Sequence, residues 1–502
     1  MAKRRRARGS SPPATARPQE LEEGYDGLDS DTGVGAESLS EFTGRKIVTI
    51  LSDDPADKKK VCEYFSARDV KDMLQTADYV ESVFDMADVS SSDTMVFDHL
   101  PILVLNDKPN VQAALAAQPA SVQDEEVRRL FVVEDEKRHF MSCLDEGCGQ
   151  QTAMGFSSAS RGAGGQRGAE PPALSPYHQG YLRGIQSLAS QMLGGLPDEP
   201  APNDGAAISP TSFGGCFSDT ASFTWGLQAT GVAASSLTGN GIRVAILDTG
   251  FEFGHPDANF ASRVVGNATF VGGTAQDHHG HGTHVAGTAC GPRDPGLSTR
   301  RYGIASEAEI LVARVLGPTG GNDTTILGGI NWAIGQGCDL INMSLGPRVC
   351  VASPAFSASH ERAARIALGN GILMIAAAGN NSSRPGRVCP VVGPAAAPSI
   401  VAVAAVDNCG RIASFSNQGQ NSSGGEINFA APGVDVFSAW TNPTRHRSIP
   451  GTSMASPHVA GIAALIAQQT GLRGLPLYRE LRSRARDIGH SRADMGNGFV
   501  SL

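Results

Sequence analysis

Three short segments of this chain each set a reactive side chain beside glycine. In VAILDTG (residues 244–250) an apolar run ends in Asp248 and a turn glycine. A carboxylate at the carboxyl end of a buried strand lies where open α/β sheets place their sites, although Asp is equally at home there as a turn or helix-cap residue. In DHHGHGTHVAG (277–287), His281 sits at a glycine-flanked bend ahead of a helix of small residues. In GTSMASPHVAG (451–461), Ser453 opens a helix whose apolar face continues through Val459, Ile462, Leu465 and Ile466. Together these are the parts that serine-based acyl transfer requires. A serine hydroxyl is a poor nucleophile until an imidazole takes its proton, and the imidazole needs a carboxylate to fix its tautomer and stabilise its charged form. Asp, His, Ser is one of the chain orders in which this constellation occurs. A serine at a helix N-terminus also aims its backbone N–H at a developing oxyanion. Asn380, closing the apolar run AAAGN (376–380), offers a second donor, its other reading being an ordinary turn residue.

Two other chemistries can be built from the same residues. The triplet Asp-Thr-Gly occurs at 31–33 and at 248–250, which would suit a carboxylate pair, but Asp31 lies in a polar, acidic stretch with no apolar strand beside it. His278, His279, His281 and His284 could gather around zinc, yet no HExxH pattern or nearby cysteine supplies a base or a soft ligand.

The elements that must carry these side chains follow from periodicity. Strand-length apolar runs are expected at 242–247, 310–315, 340–343, 372–377 and 400–406, and helices at 284–289, 325–336, 359–368 and 459–468. Strands and helices alternating at this spacing predict an α/β fold with a mostly parallel central sheet and helices on both faces. Upstream, a strand at 46–51, a helix at 57–73, a strand at 100–105, a helix at 111–117 and a strand at 129–134 predict a small α+β domain over 45–142. Residues 1–44, basic at the start and then Pro-, Ser- and acid-rich, read as a disordered tail. Residues 143–219 read as linker and extension: 146–176 are rich in Gly, Ser, Ala and Pro, followed by a short helical pattern at 177–193. The rest, 220–502, is one domain.

Composition narrows the partners. Glycine makes up 60 of 502 residues, nearly twice the usual share of about 7%. Charged residues are 18% where about 25% is usual, which excludes a coiled coil or a highly charged disordered chain. A net charge of −9 argues against binding nucleic acid through general basicity. No apolar run reaches the ~18 residues of a membrane span, so no membrane partner is expected and the chain reads as soluble. The basic start has no apolar run behind it, so no secretory signal is read there, which leaves the compartment open between the cytoplasm and export by another route. The nine cysteines show no compact metal-binding spacing and read as mostly buried thiols, with a few bridges available in an oxidising compartment.

VAILDTG, HGTHVAGT and GTSMASPHVAG, with INMSLG (341–346) and AAAGN between the last two, resemble the subtilisin-like serine peptidases, the subtilases (peptidase family S8), over about residues 220–502. The resemblance implies a subtilisin-like fold and a serine endopeptidase (EC 3.4.21) that works through an acyl-enzyme. Asp248 would be the orienting carboxylate, His281 the general base and acid, Ser453 the nucleophile, and Asn380 the oxyanion donor beside the Ser453 N–H. Ser344, Leu345 and Gly346 would pair with an extended polypeptide substrate, with Gly320, Gly321 and Asn322 on its other side. Ala377, Ala378 and Gly379 would wall the pocket for the residue before the scissile bond, and His284 and His458 would be structural. Residues 45–142 resemble the family's inhibitor-type propeptide, a ferredoxin-like domain that plugs the cleft until cut, so a self-processing zymogen is implied with its own propeptide as a partner. No cofactor is required for the chemistry. Residues 291–306 replace the loop that binds calcium in many relatives, leaving Asp257 as a weak candidate ligand for a structural calcium. A transamidating or macrocyclising relative, and a pseudopeptidase binding module, keep the same fold and are the alternatives.

Overall fold

The computed structural model describes residues 42–78, 86–141, 213, 215–296, 300–350, 356–419 and 425–502. The first stretch comprises β1 (Phe42–Ile50), α1 (Pro55–Ser66), β2 (Met73–Gln75), α2 (Met86–Ser91), β3 (Thr94–Val96), β4 (Ile102–Leu105), α3 (Pro109–Ala116), α4 (Val122–Arg128) and β5 (Phe131–Met141). Its strands lie in the order β5-β1-β4-β3-β2. Alternation decides what each face meets. Val48, Ile50, Leu103 and Leu105 pack against Val61 and Phe65 of α1 and Val111 of α3. Ile47, Ile102 and Val104, pointing the other way, join the large core that follows.

That core is built by α5 (Trp225–Ala229), β6 (Arg243–Asp248), β7 (Val264–Thr269), α6 (His281–Cys290), β8 (Glu309–Arg314), β9 (Gly321–Asn322), α7 (Asp323–Gly335), β10 (Leu340–Met343), β11 (Leu345–Gly346) and α8 (Ala358–Gly369). It continues with β12 (Leu373–Ala377), β13 (Val401–Val406), β14 (Ile427–Pro432), β15 (Val436–Ala439), β16 (His446–Ile449), α9 (Thr452–Thr470), α10 (Gly474–Arg484) and α11 (Arg492–Met495). Seven strands form one sheet in the order β14-β13-β12-β10-β6-β8-β7, and every pairing within it is parallel. All residues of β12 and β13 are buried, as strands covered on both faces must be. Val244 and Ile246 face Val285 and Ala286 of α6 and Val459 and Ile462 of α9. Ala245 and Leu247 face Ile326 and Ile330 of α7 and Ala363 and Ala367 of α8. The expected α/β architecture with a parallel sheet is therefore present.

Local expectations shift in places. The first strand begins at Phe42 rather than 45 or 46, since Phe42 already pairs with Lys137. The helix expected to run to 73 stops at Ser66, because Asp69 takes a left-handed φ of 68° and β2 follows. β2, α2, β3, α4, α5, β7, β14, β15, β16, α10 and α11 are additions. The linker at 146–176 and the helix at 177–193 lie outside the described residues. The cysteines are less often free than expected: Cys216–Cys409 and Cys350–Cys389 are disulfides, while Cys62, Cys290 and Cys338 are thiols. Among the described residues no helix is long and apolar enough to cross a membrane.

Candidate active site

The carboxyl ends of β6, β10 and β12 and the N-terminal turns of α6 and α9 converge. Asp248 is the last residue of β6 and His281 the first of α6. His281 Nδ1 lies 2.7 Å from Asp248 Oδ1, which also accepts the Thr249 N–H at 2.7 Å. Both side chains are buried. With Nδ1 committed to the carboxylate, His281 carries its proton there, and Nε2, which has no hydrogen-bond partner, is left with a lone pair to receive another. Close packing requires glycine around this pair. A Cβ on Gly280, whose φ is +106°, would lie 2.3 Å from the Trp440 ring, and one on Gly282 would lie 2.3 Å from the Gly250 carbonyl.

Asp277, given no role by sequence reasoning, locks the junction. Its Oδ1 accepts from Thr249 Oγ1 (3.0 Å) and the N–H groups of His279 and Gly280 (2.9 Å each). Its Oδ2 accepts from Thr283 N–H (2.9 Å) and Oγ1 (2.7 Å). A buried carboxylate thereby satisfies two orphan donors of the α6 N-terminus, those of Gly280 and Thr283, and ties them to the residue after Asp248. An Asp just ahead of a predicted helix was the available signal.

Ser453 is the second residue of α9, where Gly451 is the N-cap. Its hydroxyl donates to the Ser344 carbonyl at 3.0 Å, and the Ser344 hydroxyl donates to the Ser453 carbonyl at 2.9 Å. Asn342 extends this seam, donating to Ser344 Oγ at 3.0 Å and accepting from Ser456 Oγ at 2.6 Å. Asn380 follows Gly379, which takes a φ of +107°. Its Oδ1 accepts from the Thr452 N–H (2.9 Å) and Thr452 Oγ1 (2.8 Å). Because a backbone N–H can only donate, the atom facing it must be the amide oxygen, and the amide NH2 is turned the other way. Ala377 and Ala378 are fully buried, with the Ala378 carbonyl accepting from the N–H of Val392 at 3.2 Å.

An extended strand of the same chain reaches this site. At the end of β5, Met141 pairs with Leu345 and Phe140 with Gly346, antiparallel. On the opposite edge His139 pairs with Gly321 and Arg138 with Asn322, also antiparallel. A Cβ on Gly320 would lie 2.4 Å from the His139 carbonyl. Two carboxylates upstream, which no motif in the sequence marks as site residues, secure the strand. Glu134 accepts from the N–H groups of Ala358 (2.9 Å) and Ser359 (3.0 Å), at the N-terminus of α8. Glu136 accepts from the Thr324 N–H (3.0 Å), at the N-terminus of α7, and pairs with Arg45 at 2.6 Å.

Two other histidines of the motifs, His284 and His458, meet backbone carbonyls. His284 Nε2 lies 2.9 Å from the Val436 carbonyl and 3.1 Å from that of Arg447, and burial pulls its pKa down to about 3. His458 Nδ1 contacts the Met454 carbonyl at 2.7 Å, with burial lowering its pKa to about 4. Asp257 Oδ2 accepts from Tyr302 Oη at 2.6 Å and meets His446 Nε2 at 2.9 Å.

A carboxylate-oriented imidazole and a helix-terminal serine thus stand at the carboxyl edge of a parallel sheet, the kinds of group that serine hydrolases use. The chain belongs to the subtilase family, whose model matches residues 239–475, and is a serine-type endopeptidase. It is 37% identical over 287 residues to subtilisin Savinase of Lederbergia lenta, covering 56% of this chain and 97% of that one. Subtilisin DY of Bacillus licheniformis is 39% identical over 280 residues, 55% of this chain and 94% of its own. The major intracellular serine protease of Bacillus subtilis is 34% identical over 291 residues, 55% of this chain and 86% of its own.

Proposed function

We propose that Asp248, His281 and Ser453 are the catalytic set of this endopeptidase, that residues 320–322 and 344–346 bind its substrate as an extended strand, and that residues up to about 142 are its propeptide. The proton path follows from the contacts above. Ser453 Oγ exchanges its bond to the Ser344 carbonyl for His281 Nε2, gives up its proton there and attacks the scissile carbonyl carbon. The oxyanion falls to the Asn380 amide NH2 and the Ser453 N–H. His281 then protonates the departing amine; water, deprotonated by the same nitrogen, attacks the acyl carbon and displaces Ser453 Oγ, which takes the proton back from His281. Asp248 stays ionised throughout and holds the imidazole. Apart from substrate and water, every group in this cycle belongs to the chain, so the chemistry asks for no cofactor.

The observation that carries the reading is the β5 strand held between β9 and β11, with its end directed at Ser344 and Ser453. An extended peptide gains main-chain hydrogen bonds on both edges, and here the occupant is the protein itself. Calcium takes six to eight oxygen ligands, whereas Asp257 has two imidazoles, His255 and His446, and a phenol around it. Asp257 is therefore read as a member of a hydrogen-bonded cluster and not as a calcium ligand. A serine-directed phosphonate tests the catalytic set: it should label the purified chain and leave Ser453→Ala unlabelled, and labelling that survives the substitution would remove Ser453 from its role.

A further inference from the structure

We propose that His139, Asp323 and His360 form a binding site for a zinc-class divalent cation, which joins the β5 strand to the peptidase core. His139 comes from β5, Asp323 opens α7 and His360 lies in the first turn of α8, so three separate elements meet at one point. All three are buried, and each offers a ligand atom within 4.8 Å of the other two.

His139 Nε2 is 2.7 Å from Asp323 Oδ1, and His360 Nε2 is 3.7 Å from the same oxygen. A tetrahedral ion with bonds of about 2.1 Å spaces its ligand atoms by about 3.4 Å. The two distances bracket that spacing, so seating the ion asks His139 Nε2 to move out from the carboxylate by about 0.7 Å and His360 Nε2 to move in by about 0.3 Å. The remaining Asp323 oxygen is already held by the Lys137 N–H at 2.7 Å, the kind of outer hydrogen bond that orients a ligating carboxylate.

The independent sign is His360. Neither of its ring nitrogens has a hydrogen-bond partner, although the side chain is only 1% exposed and Nε2 points at Asp323. Buried polar groups are ordinarily satisfied, and an imidazole left bare beside a carboxylate and a second imidazole has the form of a metal ligand. Two nitrogens and one carboxylate suit zinc and not calcium or magnesium; a water would complete the tetrahedron. Because one ligand lies on the N-terminal segment and two on the peptidase core, the ion acts as a staple between them. Its effect on activation rests on reading that segment as a propeptide, whereas the binding itself does not.

The test uses the full chain carrying Ser453→Ala, its integrity checked by intact mass, and zinc or cobalt(II) ions alone as probes. Anomalous difference density at the zinc edge, centred between the three side chains in zinc-soaked crystals, is the expected result. In solution, cobalt should give the visible absorption of a four-coordinate site, and His139→Gln and His360→Gln should each weaken that binding by more than about tenfold. His255→Gln, in the other histidine–aspartate cluster, should leave it in place. No density at the three side chains overturns the site even if the variants fail to fold, and so does cobalt binding that is unchanged in both variants. A chain found cut despite Ser453→Ala would contradict the catalytic assignment and not this one.

Discussion

Met141 and Leu345 are antiparallel register partners, and the next residue along that edge, Ser344, accepts the Ser453 hydroxyl through its carbonyl. A strand of the N-terminal segment thus ends one step from the proposed nucleophile. The pairing with β11 and β9 supplies main-chain hydrogen bonds, and the side-chain carboxylates of Glu134 and Glu136 add helix caps behind it.

Glu136 is the sharper of these caps because it serves both sides, accepting from Thr324 of α7 and from Arg45 of β1. Loss of an N-cap costs about 1–2 kcal/mol, a factor of about 5–30 in an equilibrium. Glu136→Ala should therefore shorten the interval between cutting of the chain and full peptidase activity, followed with a chromogenic peptide. An interval equal to that of the parent would show that the cap does not hold the segment in place.

Asn380 is fixed by its oxygen, so its proposed contribution to catalysis lies in the NH2 group. Asn380→Ala should lower kcat by about 10²–10³ while leaving KM nearly unchanged, because the donor meets the oxyanion and not the bound ground state. A rise in KM with kcat preserved would instead place Asn380 in substrate binding.

Acid should destabilise the fold through its buried imidazoles. Burial lowers His284 to about 3 and His458 to about 4, from 6.5. Between about pH 6.5 and 4 the unfolded chain thus binds protons that the folded chain refuses, and stability falls as the pH drops through that window. Burial has the opposite consequence for Glu361, raised from 4.5 to about 7, and for Glu134, also raised. Their stabilisation is present in acid and fades as the pH rises through the folded values. His458→Gln keeps a donor for the Met454 carbonyl and should remove up to about 1.4 kcal/mol per pH unit from the acid slope. Urea midpoints at several pH values measure this, and an unaltered slope would contradict the neutral, buried state of His458.

What could be read in the sequence was local. The runs that became β12 and β13 are apolar along their whole length, and α9 carries its period over many residues, so each announced itself. The Asp248, His281, Asn380 and Ser453 motifs were legible because glycines mark the points where backbone must pack closely. β7 (VVGNAT) and β15 (VFSA) alternate too weakly or are too short to stand out, and α1 ends early at a left-handed Asp69 that no periodicity reveals. The hidden part of the site is long-range. Asp277 to Thr249, Asn342 to Ser456, and Glu134 and Glu136 to two helix ends all join residues distant in the chain, and only the fold brings them together. The cluster of His139, Asp323 and His360 is the extreme case, its first two members 184 positions apart.

Mass and N-terminal sequence of the full chain, expressed with and without Ser453→Ala, test most directly the claim that this is a peptidase whose own strand occupies its cleft. The active chain should be cut a few residues after Met141, and the Ser453→Ala chain should stay whole. A variant cut at the same place, or a parent chain that remains intact and fully active, would contradict it.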